Sequence, residues 1–396
     1  MVLIMPIIII VSFGASFFIL ALYTLFSVRH SRSQKLRFEH SKSLPLVSLL
    51  KPIKMTDDDM ERNIESYFRL DYSRFEILFA VDHISDPCVA VIESVRRKYP
   101  EINSTILETG NNGRQNPKIH KLAQLETRSR GELLWVTDSN IRVQKDTLGH
   151  LVNEYLRSGA KAIFSPVRGT GSRTFASLIE NTSLNFFTSG SIITAWKLLR
   201  QHIVVGKSVL IEKKALGMLG GFGYFKNYLA EDFLLGETFV RSGFRVSTNY
   251  TWVTNINEQS TIGSYFRRMA RWAKIRYHLR PAVYAAEVLL NPIVMAFLAF
   301  PFMGRRGPAF LGGVILLKVA LEYINFLVVN TEDRRRPAWH LLFPAVVMAK
   351  DLLYLGFYLM PFLSRRVVWQ GNAISIGKKT LICGLSSTDN LSYEGA

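Results

Sequence analysis

The chain has 396 residues, of which 48% are hydrophobic and 20% charged, with 49 Lys and Arg against 31 Asp and Glu for a formal charge of +18. That length suits one large domain or two, and the apolar content excludes intrinsic disorder. Two cysteines, Cys88 and Cys383, are too few for a disulfide framework and too far apart in sequence for a Cys-x-x-Cys metal or redox site; they point to a reducing compartment for the main domain.

The apolar residues concentrate at the two ends. Residues 2–28 carry no charge, and the run exceeds the ~20 residues a helix needs to cross a bilayer. A cleavable signal peptide would open on charge and have a shorter apolar core, so residues 1–28 read as an N-terminal transmembrane anchor. The first basic residues, Arg29, Arg32, Lys35 and Arg37, follow the run, and the positive-inside rule then places the next domain in the cytosol.

Residues 41–262 read as an α/β domain. Apolar runs at 46–50, 76–81, 133–137, 162–165 and 204–211 alternate with amphipathic stretches at 57–68 and 87–98, which predicts a mostly parallel sheet with helices on both faces. Ligands of such sheets bind at the carboxyl ends of the strands. The first run ends in Lys51-Pro52 and the second leads to Asp82 and Asp86; a carboxylate there suits a base or ribose, or is an ordinary turn residue. Leu133–Thr137 leads to Asp138-Ser139-Asn140. An acid and an amide two positions apart suit a divalent cation completed by diphosphate oxygens and water, and the same triplet is also an Asx turn.

Gly206-Lys207-Ser208 is no phosphate loop, because position 201 is Gln where that motif needs Gly. Glu231 and Asp232 open a helix-like run at 233–240; two acids there complement the helix dipole or supply a general base. Residues 263–283 form a basic stretch with interleaved apolar residues, including Arg268-Met269-Ala270-Arg271-Trp272, suited to an interfacial helix on anionic headgroups and to holding a diphosphate.

Residues 284–364 contain three apolar stretches, at 288–303, 308–329 and 339–363, separated by Arg305-Arg306 and Arg334-Arg335-Arg336. With the anchor they predict four spanning helices. Lys318 with Glu322, four apart on one helical face, and the adjacent Lys350 and Asp351 lie inside two of them. Charges at that depth face a bundle interior or a polar cavity, either as internal neutralisation or as part of a functional site. Residues 365–396 form a C-terminal tail, expected to be disordered after Gly384.

Taken in order, the acids at 82–86, Asp138, Glu231-Asp232 and Arg268-x-x-Arg271-Trp272, followed by membrane helices, resemble the membrane-bound inverting glycosyltransferases of the type-A nucleotide-sugar fold. Within them the chain is similar to the ceramide glucosyltransferases. The likeness rests on Val47-Ser48-Leu49-Leu50-Lys51-Pro52, Asn116-Pro117-Lys118-Ile119, Asp138-Ser139-Asn140-Ile141-Arg142-Val143, Tyr228-Leu229-Ala230-Glu231-Asp232 and the Arg268–Trp272 motif. It runs over about residues 1–330 and is weakest across 167–203.

That resemblance implies an α/β, Rossmann-like type-A domain and inverting transfer of glucose from UDP-glucose to the primary hydroxyl of ceramide, giving β-glucosylceramide. It implies that Lys51, Pro52, Asp82 and Asp86 frame the uridine, with Asp86 the better match to the family's first acid. Lys118 would reach the diphosphate, Asp138 would bind Mg²⁺ or Mn²⁺, Asp232 would be the catalytic base beside Glu231, and Arg268, Arg271 and Trp272 would close over the diphosphate. It further implies a membrane enzyme of sphingolipid metabolism, its catalytic domain on the cytosolic face of a bacterial inner membrane or of the Golgi.

Two departures stand out. The family's Asp-Ser-Gly is Asp138-Ser139-Asn140 here, leaving open a second metal contact through Asn140. Residues 175–200 lack the histidine of animal members and carry Thr188-Ser189-Gly190, so the lipid acceptor could be ceramide, another long-chain base derivative, diacylglycerol or a hopanoid. UDP-galactose or UDP-N-acetylglucosamine as donor, or a processive polysaccharide synthase, would share the chemistry. A non-enzymatic membrane scaffold would require every motif to be coincidental. A nucleic-acid partner is not expected, because the basic residues flank membrane segments, where anionic lipids account for them.

Overall fold

The computed structural model describes residues 4–33, 44–110, 115–369 and 372–387. Lys35, Arg37 and residues 388–396 of the expected tail lie outside them. Two compact units divide the chain: residues 33–167, 200–256 and 366–396 form one, and residues 1–32, 168–199 and 257–365 the other.

The strands, in chain order, are β1 (Val47–Pro52), β2 (Phe75–Val81), β3 (Ser104–Glu108), β4 (Leu133–Thr137), β5 (Ile141–Arg142), β6 (Ala162–Phe164), β7 (Val167–Thr170), β8 (Ser208–Glu212), β9 (Val246–Thr248), β10 (Val253–Ile256), β11 (Arg366–Trp369), β12 (Asn372–Ile376) and β13 (Ile382–Ser387). Seven of them make one sheet in the order β3-β2-β1-β4-β8-β6-β9. β1 runs parallel to β2 and β4, β2 to β3 and β6 to β9, while β8 is antiparallel to both of its neighbours. The expected mostly parallel α/β sheet is therefore present, with one reversed strand inside it. Leu49, Leu50, Ile77, Phe79, Leu134 and Trp135 are buried in its core, the continuous apolar runs expected of strands covered on both faces.

Two element boundaries differ from the sequence reading for local reasons. The helix expected over 57–68 begins at Met60, after Asp59 takes up a left-handed conformation (φ 49°). The strand expected over 204–211 begins only at Ser208, because the Gly206 N–H donates to the Asp232 carboxylate at 2.8 Å instead of joining the sheet.

In the other unit, helix Ile4–Arg32 packs against helix Gly190–Leu199, which continues from helix Phe175–Ser183 through a π-helical turn at Leu184–Ser189. Gly190 permits that approach, since a Cβ on it would lie 3.0 Å from Tyr23 Cβ. Among the described residues, three helices are long and apolar enough to cross a membrane: Val11–Arg32, Gly304–Val329 and Pro337–Leu363. The span expected over 288–303 falls in a bent pair, Pro281–Leu290 and Pro292–Phe302, which meet at 72° and together are apolar enough for a broken span or a re-entrant loop. Pro292 cannot continue the hydrogen-bond ladder. Asn291 turns the break into a helix start, accepting from the Val294 N–H at 3.2 Å and donating to the Asp351 carbonyl at 3.0 Å.

The basic stretch forms helix Ile262–Leu279, opened by a Thr261–Ser264 capping box and ended before Pro281. Its buried Tyr265, Met269, Ala270, Ala273 and Lys274 mark one face. The C-terminal residues are not all tail: β11, β12 and β13 form an antiparallel sheet, so the described residues after Gly384 are strand.

Candidate active site

β4 ends at Thr137, and the next side chain, Asp138, is the focus of a charged cluster. Lys118 Nζ lies 2.7 Å from Asp138 Oδ1 and Lys207 Nζ 3.1 Å from Oδ2. Burial alone would raise the Asp138 pKa, but the two ammonium groups override it and hold the carboxyl well below its ordinary range. Lys207 also donates to Asn140 Oδ1 at 3.2 Å.

Lys118 arrives on helix Pro117–Arg128. Asn116 caps that helix by accepting from the Lys118 and Ile119 N–H groups at 3.0 and 3.2 Å, and Pro117 occupies its first position, where no N–H is needed. The Asn116 amide donates to Glu231 Oε2 at 3.0 Å, and Lys118 Nζ lies 3.5 Å from Glu231 Oε1. Burial would lower the Lys118 pKa, but Asp138, Glu231 and Asp232 raise it well above the ordinary lysine value.

Glu231 and Asp232 open helix Glu231–Arg241. Glu231 is buried, which pushes its carboxyl up; Asp232 adds to that shift and Lys118 opposes it. Asp232 is half-buried, and its Oδ2 accepts from the Gly206 N–H at 2.8 Å. A side chain on Gly206 would crowd the cluster, since a Cβ there would stand 3.0 Å from both Asp232 Cβ and Lys118 Nζ. The turn read only as a failed phosphate loop therefore supplies the backbone contact and the lysine that complete this cluster.

Lys51 lies on β1. Its ammonium is fully buried, stands 3.8 Å from the Tyr67 ring centroid, and donates to Thr137 Oγ1 at 3.1 Å and the Asp138 carbonyl at 3.0 Å. Burial lowers its pKa to about 7. It braces the turn that carries Asp138. Pro52 ends β1, beside β2. Past β2, Asp82 pairs with Lys121 at 2.6 Å and with Lys54 at 3.4 Å. Asp86 is a helix cap, accepting from the Cys88 and Met55 N–H groups at 3.1 and 3.2 Å.

Arg268, Arg271 and Trp272 belong to the helical unit. Arg268 pairs with buried Glu180, Arg271 is half-buried, and Trp272 lines a cavity among the helices. Asp57 escaped the sequence reading, because three consecutive acids ahead of a helix look like a solvated start. It bonds Ser139, and burial raises its carboxyl pKa, with Lys207 opposing that shift.

Mg²⁺ takes one or two carboxylates and completes its shell with water and phosphate oxygens. Among the described residues no three His, Cys, Asp or Glu side chains gather around one point, so substrate would have to supply the remaining ligands. Asp138 and the Asn140 amide oxygen fit such an ion. Each of those oxygens now accepts from a lysine ammonium, a bond that a bound diphosphate would compete for.

The chain matches the model of glycosyl transferase family 21 over residues 9–382. Ceramide glucosyltransferase 3 of Caenorhabditis elegans is 25% identical over 370 residues, 91% of this chain and 79% of the relative. Ceramide glucosyltransferase 1 of the same organism is 24% identical, with 89% and 75% covered. The ceramide glucosyltransferase of Komagataella phaffii is 26% identical over 61% of this chain and 60% of its own.

Proposed function

The chain belongs to glycosyl transferase family 21, and from that premise we propose that it transfers glucose from UDP-glucose to the primary hydroxyl of ceramide, with inversion, at the cytosolic face of a membrane. The family fixes the reaction class. The relatives' names support glucose and ceramide. The observation that carries the reading is the cluster beyond β4, where Lys118 and Lys207 both pair with Asp138, Lys118 stands 3.5 Å from Glu231, and Asp232 is tied to the Gly206 N–H next to Lys207.

The chemistry follows from those groups. Asp232 takes the proton from the lipid hydroxyl as its oxygen attacks the anomeric carbon. The bond to the diphosphate oxygen breaks on the opposite side, so the α-linked donor yields a β-linked product. Its electron pair leaves with UDP, where Lys118 and Lys207 meet the developing charge. The Gly206 N–H holds the Asp232 carboxylate in place through Oδ2, and Oδ1 accepts from the Phe233 N–H. A divalent ion held by Asp138 and Asn140 would add positive charge against the same leaving group. Asp82 and Asp86, which follow β2, would meet the nucleoside, as the resemblance implies.

Expression in a host that makes ceramide but no glycosphingolipids, followed by lipid mass spectrometry, tests this reading. A new hexosylceramide is expected. Glycosylated diacylglycerol in its place would overturn the acceptor, and no glycolipid from a stably inserted protein would overturn the function.

A further inference from the structure

The helical unit holds a partly open cavity of about 50 Å³, several times the ~10–15 Å³ that one water requires. Its wall combines aromatic side chains, among them Phe187, Tyr265, Trp272 and Phe357, with an unusual density of charge. Lys318 pairs with Glu322 at 2.7 Å and with Asp351 at 3.2 Å, and Lys350 pairs with Glu322 at 2.9 Å and with Asp351. These four side chains are buried and come from the two apolar helices Gly307–Val329 and Pro337–Leu363. Arg276 and Glu287, 3.0 Å apart, line the same space.

The three cations that line the space, Arg276, Lys318 and Lys350, are matched by Glu287 and Asp351 in the lining and by Glu322, which does not itself line it. An anionic headgroup entering here would bring a charge with no partner, which is costly in a desolvated site. A neutral head with hydroxyl and amide groups meets donors and acceptors on every side. One group already waits for such a partner. Tyr354 is 9% exposed, its hydroxyl makes no hydrogen bond, and it lines the cavity.

We propose that this cavity receives the uncharged polar head of the acceptor lipid, with the Tyr354 hydroxyl bonding to it. The proposal rests on the lipid-acceptor reading above. It adds where that head sits, among the helices beside Trp272, and that Tyr354 is a contact that selects it.

Full-length protein in phosphatidylcholine nanodiscs, irradiated with a ceramide carrying a diazirine beside the amide and no nucleotide sugar present, tests it. Adducts are expected on cavity residues such as Met269 and Tyr354, competed by excess ceramide and not by phosphatidic acid. Tyr354→Phe removes only an unbonded hydroxyl, so the fold is kept. It should raise KM for ceramide about three- to tenfold, leave KM for UDP-glucose unchanged and weaken labelling in parallel. Adducts confined to other helices, equal competition by phosphatidic acid, or an unchanged ceramide KM would each overturn the inference. Cavity labelling without sugar transfer would keep the cavity as a ceramide-head site and overturn the proposed function. Transfer to ceramide with labelling elsewhere would do the reverse.

Discussion

Asp232 and Glu231 are neighbours in the chain yet meet different surroundings. Asp232 is half-buried and held by backbone N–H groups, which fix where its carboxylate stands. Glu231 is buried between the Asn116 amide and Lys118, so it fixes where Lys118 stands. Asp232→Asn should therefore keep UDP affinity while turnover falls ~10²–10⁴-fold, the usual scale of general base catalysis. Glu231→Gln should cost less turnover. Isothermal titration with UDP alongside kcat for both variants separates the roles. More than about a tenth of wild-type kcat in Asp232→Asn would be too much for loss of a general base and would move the assignment to Glu231 or Asp138. Gly206→Ala, which forces a methyl between Asp232 and Lys118, should weaken both UDP binding and turnover, a pattern neither carboxylate variant shares.

The segment that delivers these acids is held by an element far along the chain. The Leu229 N–H donates to the Thr380 carbonyl at 3.0 Å, the Ala230 N–H to Thr380 Oγ1 at 3.1 Å, and the Ile382 N–H to the Asn227 carbonyl at 2.8 Å. Thr380 is buried and has φ 63°, a conformation that a β-branched residue adopts only where its surroundings impose it. Thr380→Val leaves the Ala230 N–H unpaired at a cost of about 1–3 kcal/mol, and is expected to lower kcat several-fold while Thr380→Ser restores it. Wild-type kcat in Thr380→Val would show that β12 and β13 do not position the acids. This contact spans 150 residues, and no local pattern announces it, which is why 365–396 read as a tail. Elements whose cause is local were legible: β4 as an apolar run, and helix Pro87–Lys98 as an amphipathic stretch. Edge strands β3 and β9 were not, because β3 is partly exposed and β9 has only three residues. The reversal of β8 depends on its partners and leaves no trace in its own residues.

Across the whole chain the charge of +18 falls partly on helix Ile262–Leu279, which carries Arg267, Arg268, Arg271, Lys274 and Arg276, as expected of a protein that meets anionic lipid. Sidedness can be read from the two cysteines, which differ in use: Cys88 is buried and Cys383 exposed. An impermeant maleimide should label Cys383 only from the cytosolic side of sealed vesicles and reach Cys88 only after denaturation. Labelling of Cys383 from the opposite side alone would reverse the proposed orientation. The most direct measurement is the anomeric configuration of the product that purified protein makes from UDP-glucose and ceramide, read by proton NMR. A single displacement at the anomeric carbon is expected to give β-glucosylceramide alone, and an α-linked product would contradict it.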